Sequence, residues 1–147
     1  MDRNQAVCLV KIRGPMNLIG AGLRQVSENL GFTPAQTILV YDDLALPLGT
    51  VRARLSGGAG GHRGVASVLE AFQTDAFRRV KVGIGQAEAR VPPASYVLTP
   101  WDAAIRPAVH RAIQAGIARL DELLPRPPDR HGLAPTPENE RAPHGQE

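Results

Sequence analysis

The sequence predicts an α/β fold, and three of its features carry that expectation. Short apolar runs with β-branched residues recur at residues 6–12, 38–41, 51–55 and 79–84, with the length and composition of strands. Apolar residues recur every three to four positions through 18–30, 65–72 and 102–124, the period of a helix that buries one face. Breaks at Gly14-Pro15, at Pro47-Leu48-Gly49 and in the glycine-rich stretch 56–64 separate the two kinds of segment.

Taken in order, residues 6–12 are apolar on both sides and read as a strand inside the sheet, with Cys8 as a buried structural thiol. Asn17 stands just ahead of the stripe Leu18, Ile19, Leu23, Val26 and Leu30. That is the place of an N-cap, whose side-chain oxygen accepts from the first free helical N–H groups. Gly31 to Pro34 ends this helix. Residues 38–41 form a buried strand that stops at Asp42 and Asp43. Carboxylates there either solvate a turn or serve a site beyond the strand end, where α/β sheets bind ligands.

In 51–55, Arg52 and Arg54 are two residues apart on a strand and share one face. The glycines of 57–64 then run into a helix at 65–72, with Val65, Val68, Leu69 and Phe72 turned inward. Such a loop allows close backbone approach and leaves N–H groups free for an anion, but it fits neither a Walker nor a dinucleotide fingerprint. Residues 79–84 make the next strand, which leaves the sheet at Gly83 and Gly85, and 86–93 form a loop. The last helix starts at Asp102, stops at Pro125 and buries Ile105, Val109, Ile113, Ile117, Leu120 and Leu124. Residues 1–124 are thus one domain, while 125–147 are proline-rich and polar, the composition of a disordered tail.

The composition excludes several classes. The 147 residues carry one cysteine, so no internal disulfide forms. His62, His110, His131 and His144 lack ligand spacing, and neither a metal nor another cofactor is expected. No apolar run is long enough to cross a bilayer, and the polar opening residues lack the pattern of a secretory signal, so the cytoplasm is the expected location. The net charge is +3, and Arg52, Arg54, Arg63, Arg78, Arg79 and Lys81 all fall in the central segments. By itself such a cluster is either a solvated face or a nucleic-acid surface.

Five blocks, taken together, narrow this. Met16-Asn17-Leu18, then Tyr41-Asp42-Asp43-Leu44-x-Leu46-Pro47-x-Gly49, Gly57-Gly58-x-Gly60-Gly61-His62-x-Gly64, Arg79 to Gly85 and Tyr96-Val97-Leu98 stand in the order found in the bacterial peptidyl-tRNA hydrolase family, which the chain resembles from about Val7 to Leu124. The resemblance implies a three-layer fold, a mixed sheet flanked by helices. It also implies a cytosolic esterase that frees tRNA from peptides dropped by stalled ribosomes. Asp42 matches the aspartate that orients the catalytic imidazole, Asn17 an asparagine that binds substrate and positions water, and His62 the histidine of the Gly-Gly-His segment. Arg63 stands where the family has asparagine, an amide that donates and accepts where a guanidinium only donates. Arg52, Arg54 and Arg63 are expected to line the tRNA surface. Lys81 either meets phosphate there or points outward from an alternating strand.

The family's opening strand, glycine-asparagine turn and Thr-Arg-His-Asn segment, which supplies the catalytic base, have no counterpart in this sequence. The expected fold is therefore the family's without its N-terminal strand and helix; either an in-frame continuation upstream of Met1 encodes that segment, or the chain is a truncated copy of the family. A sheet lacking a strand has open edges, so self-association through one is expected. Two functions follow: hydrolysis of peptidyl-tRNA, or RNA binding without turnover on the same surface.

Overall fold

The computed structural model describes residues 7–85 and 92–124. Its sheet has three strands, β1 (Ile38–Asp43), β2 (Val51–Arg54) and β3 (Arg78–Gly83), in the order β1-β3-β2. β1 runs parallel to β3, with Val40 opposite Val80, and β2 runs antiparallel to β3, with Ala53 opposite Val80. The expected mixed sheet is present. The strand-to-strand return from β1 to β3 needs a long connection, and α2 (Arg63–Phe72) supplies it.

Strand alternation divides the layers. Leu39 and Arg79 are register partners and share one face, while Val82, three residues beyond Arg79, faces the other way. On the first face, Leu39 packs against the core of Leu23, Val68 and Phe77, contributed by α1 (Ile19–Leu30), α2 and the approach to β3. On the second, α4 (Arg106–Leu123) crosses β3 and β2, with Gly116 beside Val82. Helices thus cover both faces, the three layers expected.

The contact of α1 with α2 is backbone-close. A Cβ on Gly20 would run into the Ser67 carbonyl, and the Gly20 N–H donates to Ser67 Oγ at 3.0 Å. Only glycine fits such a crossing. Beside it, a 3₁₀ turn, Met16–Leu18, packs on α2, bringing the Met16 sulfur against Gly64 in the first turn of α2.

Four expectations are corrected. Val7 to Ile12 form no strand; Leu9 is 87% exposed, and Cys8 is exposed rather than buried. A strand exists only through its ladder, and no described strand lies beside this run; Ile12 alone packs against the core. Asn17 is not an N-cap, because the chain begins to coil a turn early, with Leu18 N–H donating to Pro15 O, so that Asn17 sits inside the 3₁₀ turn and Leu18 caps α1. The last helix turns a different edge inward: Ala112 and Gly116 are buried, and Ile113 and Ile117 are each 49% exposed. Small residues let α4 approach the sheet more closely than isoleucines could. Finally, α3 (Pro93–Leu98) is a helix where none was expected, six residues being too few to display a period; it meets the expected loop only at Pro93, and residues 86–91 of that loop lie outside the described residues. Residues 125–147 lie outside the described residues.

Candidate active site

β1 ends in two carboxylates with different partners. Asp43 is held by Lys81, whose Nζ donates to Oδ2 at 2.9 Å, and by the Ala45 N–H, which donates to Oδ1 at 2.8 Å. Burial pushes its carboxyl up, but the Lys81 hydrogen bond, the Ala45 N–H and the Lys81 charge outweigh this and hold it below the ordinary carboxylate value. The Lys81 ammonium also lies 5.8 Å from the centre of the Tyr41 ring. Lys81 therefore spends its charge on β1 and on an aromatic face, rather than standing free on an outward strand position.

Asp42 is the more open of the two, its side chain 40% exposed. Its Oδ1 is 3.4 Å from His62 Nε2. That hydrogen bond, opposed by burial, lowers the Asp42 carboxyl below its ordinary value. His62 is placed by its helix: it is the N-cap of α2, and its Nδ1 accepts from the Val65 N–H at 3.1 Å. Its ring stands edge-on to Tyr41, with centroids 4.9 Å apart.

These two contacts fix the imidazole's protonation pattern in its neutral form. Nδ1 must present its lone pair to Val65, so the hydrogen is on Nε2 and points to Asp42. Neither nitrogen is left to take a proton from water, so His62 as placed is a donor and a cap rather than a general base. The N-cap role was not read from the sequence. The signal was there, a side chain with an acceptor atom between the glycine loop and an apolar helix, but histidine is an uncommon choice at that position.

The basic residues divide into two groups. Arg78 donates to Leu123 O at the end of α4 and, at 3.1 Å, to Ala35 O. Arg79 is 1% exposed and donates to Gly57 O, Gly58 O and Asp75 O. Both are structural, which corrects their inclusion in a surface cluster. Arg52, Arg54 and Arg63 remain exposed. Arg52 is the register partner of Lys81, which pairs with Tyr41 on its other side, so one cross-strand row joins Arg52 to the His62 neighbourhood. Arg54 lies one pleat further on, opposite Arg79.

Asn17 is exposed on the 3₁₀ turn that packs against the first turn of α2. The structure therefore gathers Asp42, His62, Arg63, Lys81 and the turn bearing Asn17 around the N-terminus of α2, with Arg52 in the adjoining row and Arg54 furthest out. His110 is elsewhere, on the exposed side of α4 with Trp101 and Ile113. Among the described residues no group of three or more His, Cys, Asp or Glu side chains could hold a metal ion, and no helix is long and apolar enough to cross a membrane.

Comparison with known proteins gives one consistent result. A family model described as Peptidyl-tRNA hydrolase matches residues 1–131. The peptidyl-tRNA hydrolase of Persephonella marina is 45% identical over 93 residues, which cover 63% of this chain and 49% of that protein. That of a Hydrogenobaculum species is 35% identical over 126 residues, covering 83% of this chain and 67% of the relative. The crystal structure of peptidyl-tRNA hydrolase from Acinetobacter baumannii superposes with a TM-score of 0.66 at 23% identity, over 74% of this chain and 55% of that one, a likeness of fold. The chain spans about half to two thirds of the length of these relatives.

Proposed function

The chain belongs to the peptidyl-tRNA hydrolase family, and from that premise we propose that it acts on peptidyl-tRNA, hydrolysing the ester between peptide and tRNA. Water attacks the ester carbonyl, the bond to the tRNA hydroxyl breaks, and peptide acid and free tRNA leave. The observation that carries this reading is Asp42: a partly exposed carboxylate at a strand end, one oxygen held by His62, in a site flanked by Arg52, Arg54 and Arg63.

The roles follow from the contacts. Asp42 is placed to orient and polarise the imidazole of the family's opening Thr-Arg-His-Asn segment, which this sequence does not contain; His62 cannot be that imidazole, since both its nitrogens are engaged. Asn17 offers an exposed amide to substrate or water beside the α2 N-terminus. Arg52, Arg54 and Arg63 receive tRNA phosphates, and Lys81, already paired with Asp43, shapes the site. The cytoplasm, where translation supplies the substrate, is the location this reading requires.

The test is release of the blocked amino acid from an N-acylated aminoacyl-tRNA by the chain joined to a relative's opening segment, which carries the base, with and without Asp42→Asn. Loss of an oriented acid–base unit lowers release by about 10²- to 10⁴-fold; equal release by both proteins overturns the assignment of Asp42. A second reading, RNA binding without turnover, is favoured by the engagement of both His62 nitrogens. Salt-sensitive tRNA binding with no release even by the joined chain selects it.

The partners extend to the chain itself. The outer edge of β1 pairs with no described strand, and Val40 on it is 56% exposed. An open edge of this kind recruits a strand from another molecule, so self-association is expected. A monodisperse monomer in light scattering overturns it.

A further inference from the structure

We propose that Arg79 is the positioning residue of the site, acting through the glycine loop that leads to His62. This rests on the reading of Asp42 and His62 given above, and it adds a residue remote from both.

The loop from β2 to α2, residues 55–62, contains glycine at 57, 58, 60 and 61, with positive φ at Gly57, Gly60 and Gly61. Such a segment has few side chains with which to fix itself and many conformations to lose. What holds it is mostly one guanidinium. Arg79 Nη1 donates to Gly58 O at 2.6 Å, and Nη2 donates to Gly57 O and, at 3.4 Å, to Asp75 O. The Gly57 N–H donates to the same Asp75 carbonyl at 3.4 Å. One buried fork therefore ties the chain entering α2 to the chain leaving it.

The choice of residue is specific. Arg79 is 1% exposed, and no carboxylate among the described residues lies within ion-pair distance of it. A buried cation held by carbonyl dipoles alone is costly unless those dipoles are in place. The loop must present Gly57 and Gly58 oxygens to Arg79, and this sets where its far end begins α2. His62 is that far end, and its Nε2 meets Asp42. The cross-strand partner of Arg79 is Arg54, which is exposed. A buried like charge directly opposite disfavours folding Arg54 inward and leaves it available to phosphate.

The experiment compares Arg79→Lys with Arg78→Lys by ¹⁵N-resolved NMR of the His62 imidazole and by thermal melting. Arg78 is the matched control, since it too donates to backbone carbonyls, but at the end of α4. A lysine cannot span carbonyls as a planar fork does. Arg79→Lys is expected to lose the Nε2–H tautomer signature of His62, which becomes a mixture, while Arg78→Lys keeps it. A folded Arg79→Lys protein with the His62 signature intact overturns the proposal, as does equal loss in both variants. The unaltered protein provides a readout that needs no variant: Arg79 Nη protons are expected to rotate and exchange slowly, and an averaged, fast-exchanging signal overturns the tether. None of these readouts requires turnover, so the hydrolase reading and this one fail separately.

Discussion

The His62 imidazole bridges two elements, accepting the Val65 N–H through Nδ1 and reaching Asp42 through Nε2 at 3.4 Å, so the cap of α2 is also the partner of the carboxylate at the end of β1. Stability and site geometry are thereby coupled in one ring. His62→Ala removes the cap and is expected to cost about 0.5–2 kcal/mol. His62→Asn should recover most of that loss, because its amide oxygen can accept the same N–H, while the contact with Asp42 is not restored. Urea unfolding of the two variants separates the terms. An alanine variant as stable as the parent would mean that the cap contributes nothing.

The acid limb of stability depends on both carboxylates of β1. Each has a folded-state pKa below its unfolded value of about 3.8, Asp42 first through the His62 hydrogen bond, and Asp43 because Lys81 and the Ala45 N–H overcome its burial. A depressed carboxyl stabilises the fold above its unfolded pKa, and that contribution is lost as pH falls through the folded value. Urea midpoints measured from about pH 6 down to about pH 3 are therefore expected to fall on acidification. Asp42→Asn and Asp43→Asn should each flatten that fall. An unchanged pH slope in both variants refutes the assignment.

The parts of the fold that local pattern decides were legible. Residues 38–41, 51–55 and 65–72 carry their own period and breakers, and β1, β2 and α2 form there. Segments that need a neighbour to be anything were not. Val7 to Ile12 have strand composition, but without a described ladder partner they remain irregular, and all but Ile12 are exposed. Arg79 and Arg54 look alike in sequence and become buried and exposed only because the glycine loop closes over one face of β3. The position of Asp42 at the end of β1 was legible from the apolar run that precedes it. The bond between His62 and Asp42 was not, since it joins residues 20 apart through a helix start that histidine rarely caps.

Gly20 gives a test of sign. In an isolated helix, glycine to alanine is stabilising by about 1 kcal/mol. In α1 the added Cβ would meet the Ser67 carbonyl and the backbone of α2, which cannot move aside as a flexible side chain could. Overpacking of this kind costs about 1–3 kcal/mol or more. Gly20→Ala is therefore expected to lower the melting temperature, and with it to loosen the 3₁₀ turn that bears Asn17. A raised melting temperature would show that the close approach of α1 to α2 is not made in solution.

With tRNA as the proposed partner, the division of the arginines predicts how binding would respond to salt. Arg52 and Arg54 are exposed on β2, whereas Arg78 is committed to the carbonyls of Leu123 and Ala35. Each phosphate neutralised releases counterions and adds about 0.7–0.9 to the slope of log affinity against log salt. Replacing both Arg52 and Arg54 with glutamine should lower that slope by roughly 1.4–1.8 and weaken binding at low salt. Arg78→Gln should destabilise the junction of α4 with β3 and leave the slope unchanged, because its charge never faces the nucleic acid. Titrations of tRNA at several salt concentrations measure both. If Arg78→Gln lowers the slope as much as the Arg52 and Arg54 pair does, the sorting of these side chains into surface and interior is wrong, and the nucleic-acid face lies elsewhere on the sheet.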